Sequence, residues 1–213
     1  MSDPAFKRMS VDEFLLWEDG TTTRYELIDG VPVAMAPSHS AHQIIVGNAA
    51  RHIGNALDAR PPCRVQPEAG ILKPDSVRSF FQADLAVTCK PHAFREHAIP
   101  DPVLVMEVLS RSTMDHDRRI KLPVHRSIPS LREIVLVDSE SLFVEVHRRL
   151  DEARWQVDLL LEPEAILRLD SVGAGFPLSA LYRNVETGNG SGTGPGLDLG
   201  SGPTSIASGD GTL

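Results

Sequence analysis

The chain has 213 residues, of which 41% are hydrophobic and 23% charged, as expected for one globular domain. Its net charge of -8 argues against long duplex DNA as the natural ligand, because proteins that neutralise phosphates usually carry a basic balance. The sequence lacks a long apolar run, so we expect no membrane-spanning helix. Cys63 and Cys89 form no Cys-x-x-Cys motif, and the first residues lack signal-peptide features. We therefore expect no disulfide framework, no zinc signature and a cytoplasmic location.

Composition divides the chain into two parts. Residues 187–213 are rich in Gly, Ser and Thr and almost free of large apolar side chains, so this segment cannot offset its ordering entropy. We predict a folded domain over residues 8–186 and a disordered tail over 187–213.

The first predicted elements each carry a local signal. Ser10 is placed to cap a helix over 11–17, with Glu13 at the capping-box spacing. The dipeptide Asp29-Gly30 predicts a tight turn between strands over 24–28 and 31–35. Apolar residues recur with helical period over 40–59, and Pro61-Pro62 ends that helix.

The remaining pattern mixes strands with one helix. We predict a polar helix over 112–128, although Pro123 disfavours helical geometry at Leu122. Strands are predicted at 64–72, 80–88, 103–109, 133–137, 142–147 and 155–161. The fold class is therefore α/β, a mixed β-sheet with strand hairpins flanked by helices.

Two acids lie inside apolar strands. Asp84 interrupts the segment 80–88, and Glu107 interrupts 103–109. A buried, unpaired carboxylate costs several kcal/mol, and two on neighbouring strands repel each other unless a cation lies between them. A Mg²⁺ or Mn²⁺ ion, which prefers oxygen ligands, would satisfy both. The alternative is that each acid forms a structural salt bridge with an arginine.

Five short segments also carry a resemblance to a known family. They are Tyr25-Glu26-Leu-Ile-Asp-Gly30, Pro37-Ser-His-Ser-Ala-His42, Ala83-Asp84-Leu-Ala-Val87, Glu107-Val-Leu-Ser-Arg-Ser-Thr113 and Lys121-Leu122. Their order and spacing resemble the Uma-two (Uma2) family of restriction-endonuclease-like proteins, within the PD-(D/E)XK superfamily. The resemblance runs from about Met9 to Leu181. It implies a restriction-endonuclease-like core of strands flanked by helices.

The resemblance also implies roles for individual residues. Asp84 and Glu107 would bind a divalent metal, with Glu26 as a supporting acid and metal ligand. Lys121 would be the active-site lysine, placed on the following helix. The usual lysine position, two residues after the second acid, holds Leu109, which cannot polarise a phosphate.

Other departures and weaker signals concern neighbouring residues. Ala83 replaces the proline of the superfamily motif, and His125 stands where the family tends to have a tyrosine. His39 and His42 are spaced to bind a metal or to make local hydrogen bonds at a helix start. The spacing of Asp117, Lys121 and His125 favours a solvated helical face. A basic cluster either contacts phosphates or is a surface patch; its members are Arg118, Arg119, Lys121 and Arg126.

These observations favour a Mg²⁺- or Mn²⁺-dependent endonuclease that hydrolyses DNA phosphodiester bonds, acting as a homodimer. In that chemistry Lys121 would stabilise charge on the phosphate or orient the attacking water. One alternative is a catalytically inactive nuclease-fold module that binds or interacts. Another is a metal-dependent hydrolase of small nucleotides.

Overall fold

The computed structural model describes residues 8–188. The predicted tail therefore lies outside the described residues from 189 onward. The helices are α1 (Val11–Leu15), α2 (Ser40–Leu57), α3 (Met114–His116), α4 (Leu122–Ser127) and α5 (Leu178–Leu181), with a π-helical segment (Asp117–Lys121) between α3 and α4. The strands are β1 (Tyr25–Ile28), β2 (Val31–Ala34), β3 (Arg64–Leu72), β4 (Phe80–Thr88), β5 (Pro102–Leu109), β6 (Glu133–Asp138), β7 (Val144–Arg149), β8 (Trp155–Leu160), β9 (Ile166–Leu169) and β10 (Ala174–Pro177).

Strands β1 to β8 form one mixed sheet. Its order is β2-β1-β4-β5-β6-β7-β8, and β3 pairs with β4. The pairing of β5 with β6 is parallel, and the other pairings in this sheet are antiparallel. The mixed sheet agrees with the fold class predicted from the sequence. The β9–β10 hairpin and helix α5 were not predicted, because each element is only four residues long and no Asp-Gly dipeptide marks the turn as it does between β1 and β2.

Local sequence signals explain the N-terminal elements. The Ser10 hydroxyl accepts a hydrogen bond from the Glu13 N–H, and the Glu13 carboxylate accepts one from the Ser10 N–H, so the predicted capping box is present. In the β1–β2 turn, Asp29 and Gly30 have φ of 47° and 85°. Both values lie in the left-handed region that an Asp-Gly hairpin turn requires.

The sheet is covered on both faces. Helix α2 buries Ile45, Ala49, Ile53 and Leu57, one residue per turn, and this stripe packs into a core cluster with β9, β10 and α5. On the other face, α4 packs into a second cluster with the buried residues of β4, β5 and β6. The strands that carry Asp84 and Glu107 therefore lie in the centre of the domain.

Two sequence predictions were wrong in this region. Cys63 and Cys89 form a disulfide, which was not expected; they stand just before β3 and just after β4, and the antiparallel pairing of these strands brings them together. Leu122 is helical despite Pro123, with φ -56° and ψ -45°. Its N–H donates to the carbonyl of Asp117, five residues back, so the helix widens ahead of the proline.

Within residues 8–188, none of the helices is long and apolar enough to cross a membrane.

Candidate active site

The site forms where the central sheet divides. Strand β1 pairs with β4 at Leu27 and Phe80, whereas β5 pairs with β4 only from Leu85 onward. The β4 backbone between these pairings faces a gap, which we call the fork. A buried strand edge must still satisfy its N–H and C=O groups. The sequence satisfies them with charged side chains.

Three side chains replace the missing strand at the fork. The Gln82 N–H donates to Glu26 Oε1 at 3.0 Å, and the Asp84 N–H donates to Glu107 Oε2 at 3.3 Å. The Gln82 carbonyl accepts from Lys121 Nζ at 2.8 Å. The buried charges are therefore held by backbone as well as by one another.

Asp84 and Glu107 lie opposite each other. The β4–β5 register pairs Leu85 with Met106, so the next step places Asp84 against Glu107 on the same face. Asp84 Oδ2 accepts from the Val108 N–H at 2.7 Å. Asp84 remains 20% exposed, whereas Glu107 is 1% exposed. Asp84 is therefore partly accessible to solvent, and Glu107 is buried.

Lys121 is the cation at the centre of the cluster. It lies on the π-helical segment and is 4% exposed. Its Nζ is 3.1 Å from Glu26 Oε1, 3.4 Å from Glu107 Oε2 and 3.5 Å from Asp117 Oδ1. Burial lowers the pKa of Lys121, but the surrounding carboxylates outweigh it and raise that pKa above its ordinary value. The lysine is therefore a permanent positive charge.

Carboxyl groups outnumber ammonium groups in this cluster. The carboxylates of Glu26, Asp84, Glu107 and Asp117 surround the single ammonium of Lys121. Burial, and then repulsion from neighbouring carboxylates, raises the pKa of Asp117 to about 6. Burial likewise raises the pKa of Glu107, against the effect of Lys121. A further cation would offset this repulsion and favour the ionised carboxylates.

His125 supports Glu107 from the protein interior. Its Nε2 lies 2.8 Å from Glu107 Oε1, and its Nδ1 is buried without a hydrogen-bond partner within residues 8–188. Burial, with a smaller effect of Lys121, lowers the pKa of His125 to about 3. The ring is therefore neutral, and one hydrogen bond joins its Nε2 to the carboxyl group of Glu107.

The fork opens into a cavity of about 380 Å³. Asp84, His42 and His116 all line it. His42 Nε2 lies 3.1 Å from Asp84 Oδ1, and the same ring has a hydrogen bond with the Val108 backbone. His39 is the N-cap residue of α2 and makes no side-chain capping bond. Solvent and ligands thus reach Asp84 through a pocket lined by imidazoles.

The structure brings the four predicted site residues together. Glu26, Asp84, Glu107 and Lys121 meet at the fork, which strand-by-strand reasoning could not show. The predicted solvated face was wrong, because Asp117, Lys121 and His125 are buried. The helix carrying them packs against the sheet rather than lying on the surface.

The basic cluster is divided between two environments. Arg118 forms two hydrogen bonds with Glu145, at 3.1 and 2.6 Å, and Arg126 donates to His147 Nδ1 at 2.8 Å. These contacts hold the π-helical segment and α4 against β7. Arg119, with 79% of its side chain exposed, remains in solvent beside Asp115.

Oxygen donors for a divalent ion are present at the fork. Asp84 and Glu107 supply carboxylates, and Glu26 has both oxygens occupied by protein donors. Within residues 8–188, no three His, Cys, Asp or Glu side chains are arranged as a formed metal cage. A metal would therefore be held by few protein ligands, with other positions left to water or substrate.

Known proteins resemble this chain in sequence and in fold. A sequence model of the Uma2 family, described as "Putative restriction endonuclease", matches residues 11–180. The chain is 28% identical over 181 residues to the uncharacterized protein slr1290 of Synechocystis sp., which covers 84% of this chain and 94% of that protein. It is 25% identical over 162 residues to the uncharacterized protein sll1609 of the same organism, covering 75% and 91%.

A solved structure has the same architecture. The crystal structure of a "putative nuclease belonging to DUF820" from Anabaena variabilis matches with a TM-score of 0.64 at 18% identity. The match covers 82% of this chain and 97% of that chain. The predicted fold class, a nuclease-like mixed sheet flanked by helices, is confirmed.

Proposed function

Because the chain belongs to the Uma2 family of restriction-endonuclease-like proteins, we propose that it is a divalent-metal-dependent endonuclease that hydrolyses DNA phosphodiester bonds. The observation that carries this proposal is the convergence of Asp84, Glu107 and Lys121 at the fork, beside an open cavity. Two carboxylates and a lysine from separate elements meet where β4 is paired with neither β1 nor β5.

The residues at the fork fit a Mg²⁺ or Mn²⁺ ion. Burial and mutual repulsion raise the pKa of both Glu107 and Asp117, and a hard cation at the fork would favour their ionised forms. Asp84 and Glu107 would hold the ion from adjacent strands. When bound, such an ion polarises the phosphate and lowers the pKa of a coordinated water.

The role that we propose for Glu26 differs from the metal-ligand role that the family resemblance implied. Its Oε1 accepts from Gln82 and Lys121, and its Oε2 accepts from His116. Glu107 is likewise bonded through both of its oxygens, to His125 and to Lys121. We assign metal binding to Asp84 and Glu107 because they lie opposite each other on adjacent strands, and we assign Glu26 to holding Lys121 and His116.

Lys121 fixes the electrostatics of the site. Its ammonium contacts Glu107 and Glu26 and is bonded to the β4 backbone, so it holds both carboxylates in place before substrate arrives. Its positive charge also stabilises negative charge that develops on a phosphate bound near Asp84. Leu109 is buried in the apolar core, so the lysine function has moved to the π-helical segment.

The proposed substrate is DNA, and the proposed active form is a homodimer. Cutting both strands of a duplex needs two sites, which two copies of the chain supply. The acidic balance of the chain predicts that binding depends strongly on the metal, because a bound cation reverses the local charge at the phosphate.

A cleavage panel tests the proposed function. Plasmid DNA, single-stranded DNA, RNA and free nucleotides are incubated with Mg²⁺ or Mn²⁺, with EDTA as one blank and Glu107→Ala as another. We expect DNA cleavage that needs both the metal and Glu107. Cleavage of nucleotides alone would support the small-nucleotide hydrolase instead. Metal binding without any cleavage would support the inactive module, and absence of both overturns the nuclease proposal.

A further inference from the structure

His116 joins a buried acid of the cluster to the open cavity. It is the last residue of α3, and 30% of its side chain is exposed. Its Nε2 lies 2.9 Å from Glu26 Oε2, and the ring lines the same cavity as Asp84. No separate sequence signal marks it, because it stands beside Asp117 in a polar run.

Glu26 fixes the orientation of this ring. The carboxylate is 3% exposed, and its other oxygen is held by the Gln82 N–H and the Lys121 ammonium. A carboxylate held at both ends keeps one imidazole nitrogen in place and leaves the other for a reacting group, as in catalytic triads. Within residues 8–188, His116 Nδ1 makes no hydrogen bond.

The charges that face His116 favour its protonated form. The hydrogen bond with Glu26 raises the pKa of His116, against burial. Asp117 and Lys121, both from the π-helical segment, have smaller and opposing effects. A titratable ring held by a buried carboxylate thus lies at the wall of the cavity.

We propose that His116 is a catalytic residue that protonates the leaving oxygen of the phosphodiester, with Glu26 as its positioning residue. This inference rests on the proposed nuclease function. Water oxygen forms a bond to phosphorus and releases one proton to solvent, while the bond from phosphorus to the leaving oxygen breaks. The bonding electron pair stays on that oxygen, which takes the proton of His116, and His116 recovers a proton from solvent.

The other cations of the site are less suited to this step. Lys121 is almost fully buried, and its ammonium already has acceptors on Gln82, Glu26 and Glu107. Donating its proton would leave three buried carboxylates without a counter-ion. His42 is engaged with Asp84 and the Val108 backbone, at the place where the proposed metal would be held.

The test uses the leaving group. An oligothymidylate carries sulfur in place of one bridging oxygen at a central link, in two versions, at the 3′ or the 5′ position. A thiolate leaves without protonation, because its pKa is far below that of an alkoxide. Cleavage at the sulfur link is compared with cleavage at oxygen links of the same molecule, in wild type and His116→Gln.

We expect His116→Gln to slow cleavage at oxygen links by about 10²- to 10⁴-fold, the usual contribution of a general acid. Cleavage at the sulfur link should fall by less than about tenfold in the version whose sulfur leaves. The exposed loop residue His92 provides the control, and His92→Gln should cut both links as the wild type does.

Calorimetry of Mn²⁺ binding supplies a readout that does not depend on turnover. His116→Gln should bind Mn²⁺ as the wild type does, which also shows that the variant is folded. A loss of affinity of about tenfold or more would place His116 among the supports of the metal and overturn the inference.

The remaining outcomes separate the two proposals. If the wild type cuts oxygen links and His116→Gln cuts them equally well, the His116 inference is overturned and the nuclease proposal stands. If His116→Gln slows cleavage at the oxygen links and at the sulfur link by the same factor, His116 is not the general acid. If the wild type cuts no link with any metal, the nuclease proposal fails and the inference fails with it.

Discussion

Asp84 and Glu107 are linked across adjacent strands by two backbone-to-carboxylate hydrogen bonds, one direct and one through the residue after Glu107. The N–H of Asp84 donates to Glu107 Oε2, and the N–H that follows Glu107, that of Val108, donates to Asp84 Oδ2. Each acid therefore satisfies backbone at the point where β4 and β5 stop pairing. The same contacts that fix the sheet also fix the spacing of the two carboxylates, so the fold sets the geometry of the proposed metal site before any ion binds.

Asp84 is expected to control metal binding. We predict that Mn²⁺ at about 100 times its Kd raises the Tm of the wild type by about 5–10 °C, because binding adds roughly 2.7 kcal/mol of stability. Asp84→Ala removes the exposed carboxylate and should abolish the shift. The measurement is a thermal melt with and without Mn²⁺.

Glu68 provides the matched control for this melt. It also lines the cavity, but its side chain is paired with Arg24 and 62% of it is exposed. Glu68→Ala should keep the full Mn²⁺ shift. A wild type whose Tm does not respond to Mn²⁺, Mg²⁺ or Ca²⁺ would contradict the metal site.

Lys121 is expected to be essential for stability. Lys121→Met leaves Glu26 and Glu107 buried without their counter-ion, which should lower the free energy of unfolding by about 3–5 kcal/mol. Adding Glu107→Gln should recover part of the loss, because one of the uncompensated charges is removed. Urea unfolding in EDTA measures both variants.

The control for Lys121 lies on the same segment. Arg119 is in solvent, so Arg119→Met should change the unfolding free energy by no more than about 0.5 kcal/mol. If Lys121→Met unfolds at the urea concentration of the wild type, the counter-ion role of Lys121 is wrong.

The sequence predicted the two strand acids of the site, but it did not predict that the helix residues around them are buried. Asp84 and Glu107 stand out because a charge inside an apolar strand is costly and rarely accidental. The helical stripe of Asp117, Lys121 and His125 carries no comparable signal, because a polar helix face is usually solvated. Its burial depends on the fork, which exists only in three dimensions.

Other differences also arise from contacts distant in sequence. The Cys63–Cys89 disulfide follows from the pairing of β3 with β4, which residue counting does not reveal. The connection of His116 to Glu26 spans 90 residues and depends on α3 packing over β1. Elements with strong local patterns, such as α2 and the β1–β2 hairpin, were predicted at nearly their observed positions.

His147 predicts a dependence of stability on pH. It is buried on β7 between Glu145, at 3.2 Å, and Arg126. Burial, with Arg126 beside it, lowers the pKa of His147 in the folded protein. Below about pH 6.5 the unfolded chain therefore binds a proton that the folded protein does not, so stability falls as pH falls.

His147→Gln isolates this effect. Glutamine keeps a donor for Glu145 and an acceptor for Arg126 but does not titrate. Between about pH 7 and pH 5 the variant should lose less stability than the wild type. Replacing the exposed His92 by Gln should leave the wild-type slope unchanged, and a slope unaffected by His147→Gln would refute the assignment.

Two glycines predict opposite effects of the same substitution. A Cβ on Gly70, in β3, would lie 2.6 Å from Phe80 Cζ and still closer to the carbonyl oxygen of His97. Gly70→Ala must therefore shift backbone, and we expect a loss of about 1–3 kcal/mol. A Cβ on Gly47, in α2, would meet nothing within 4 Å. Gly47→Ala should stabilise the helix by about 0.5–1 kcal/mol. Urea unfolding of both variants checks the signs, and a Gly70→Ala variant as stable as Gly47→Ala would show that the β3–loop contact is not close.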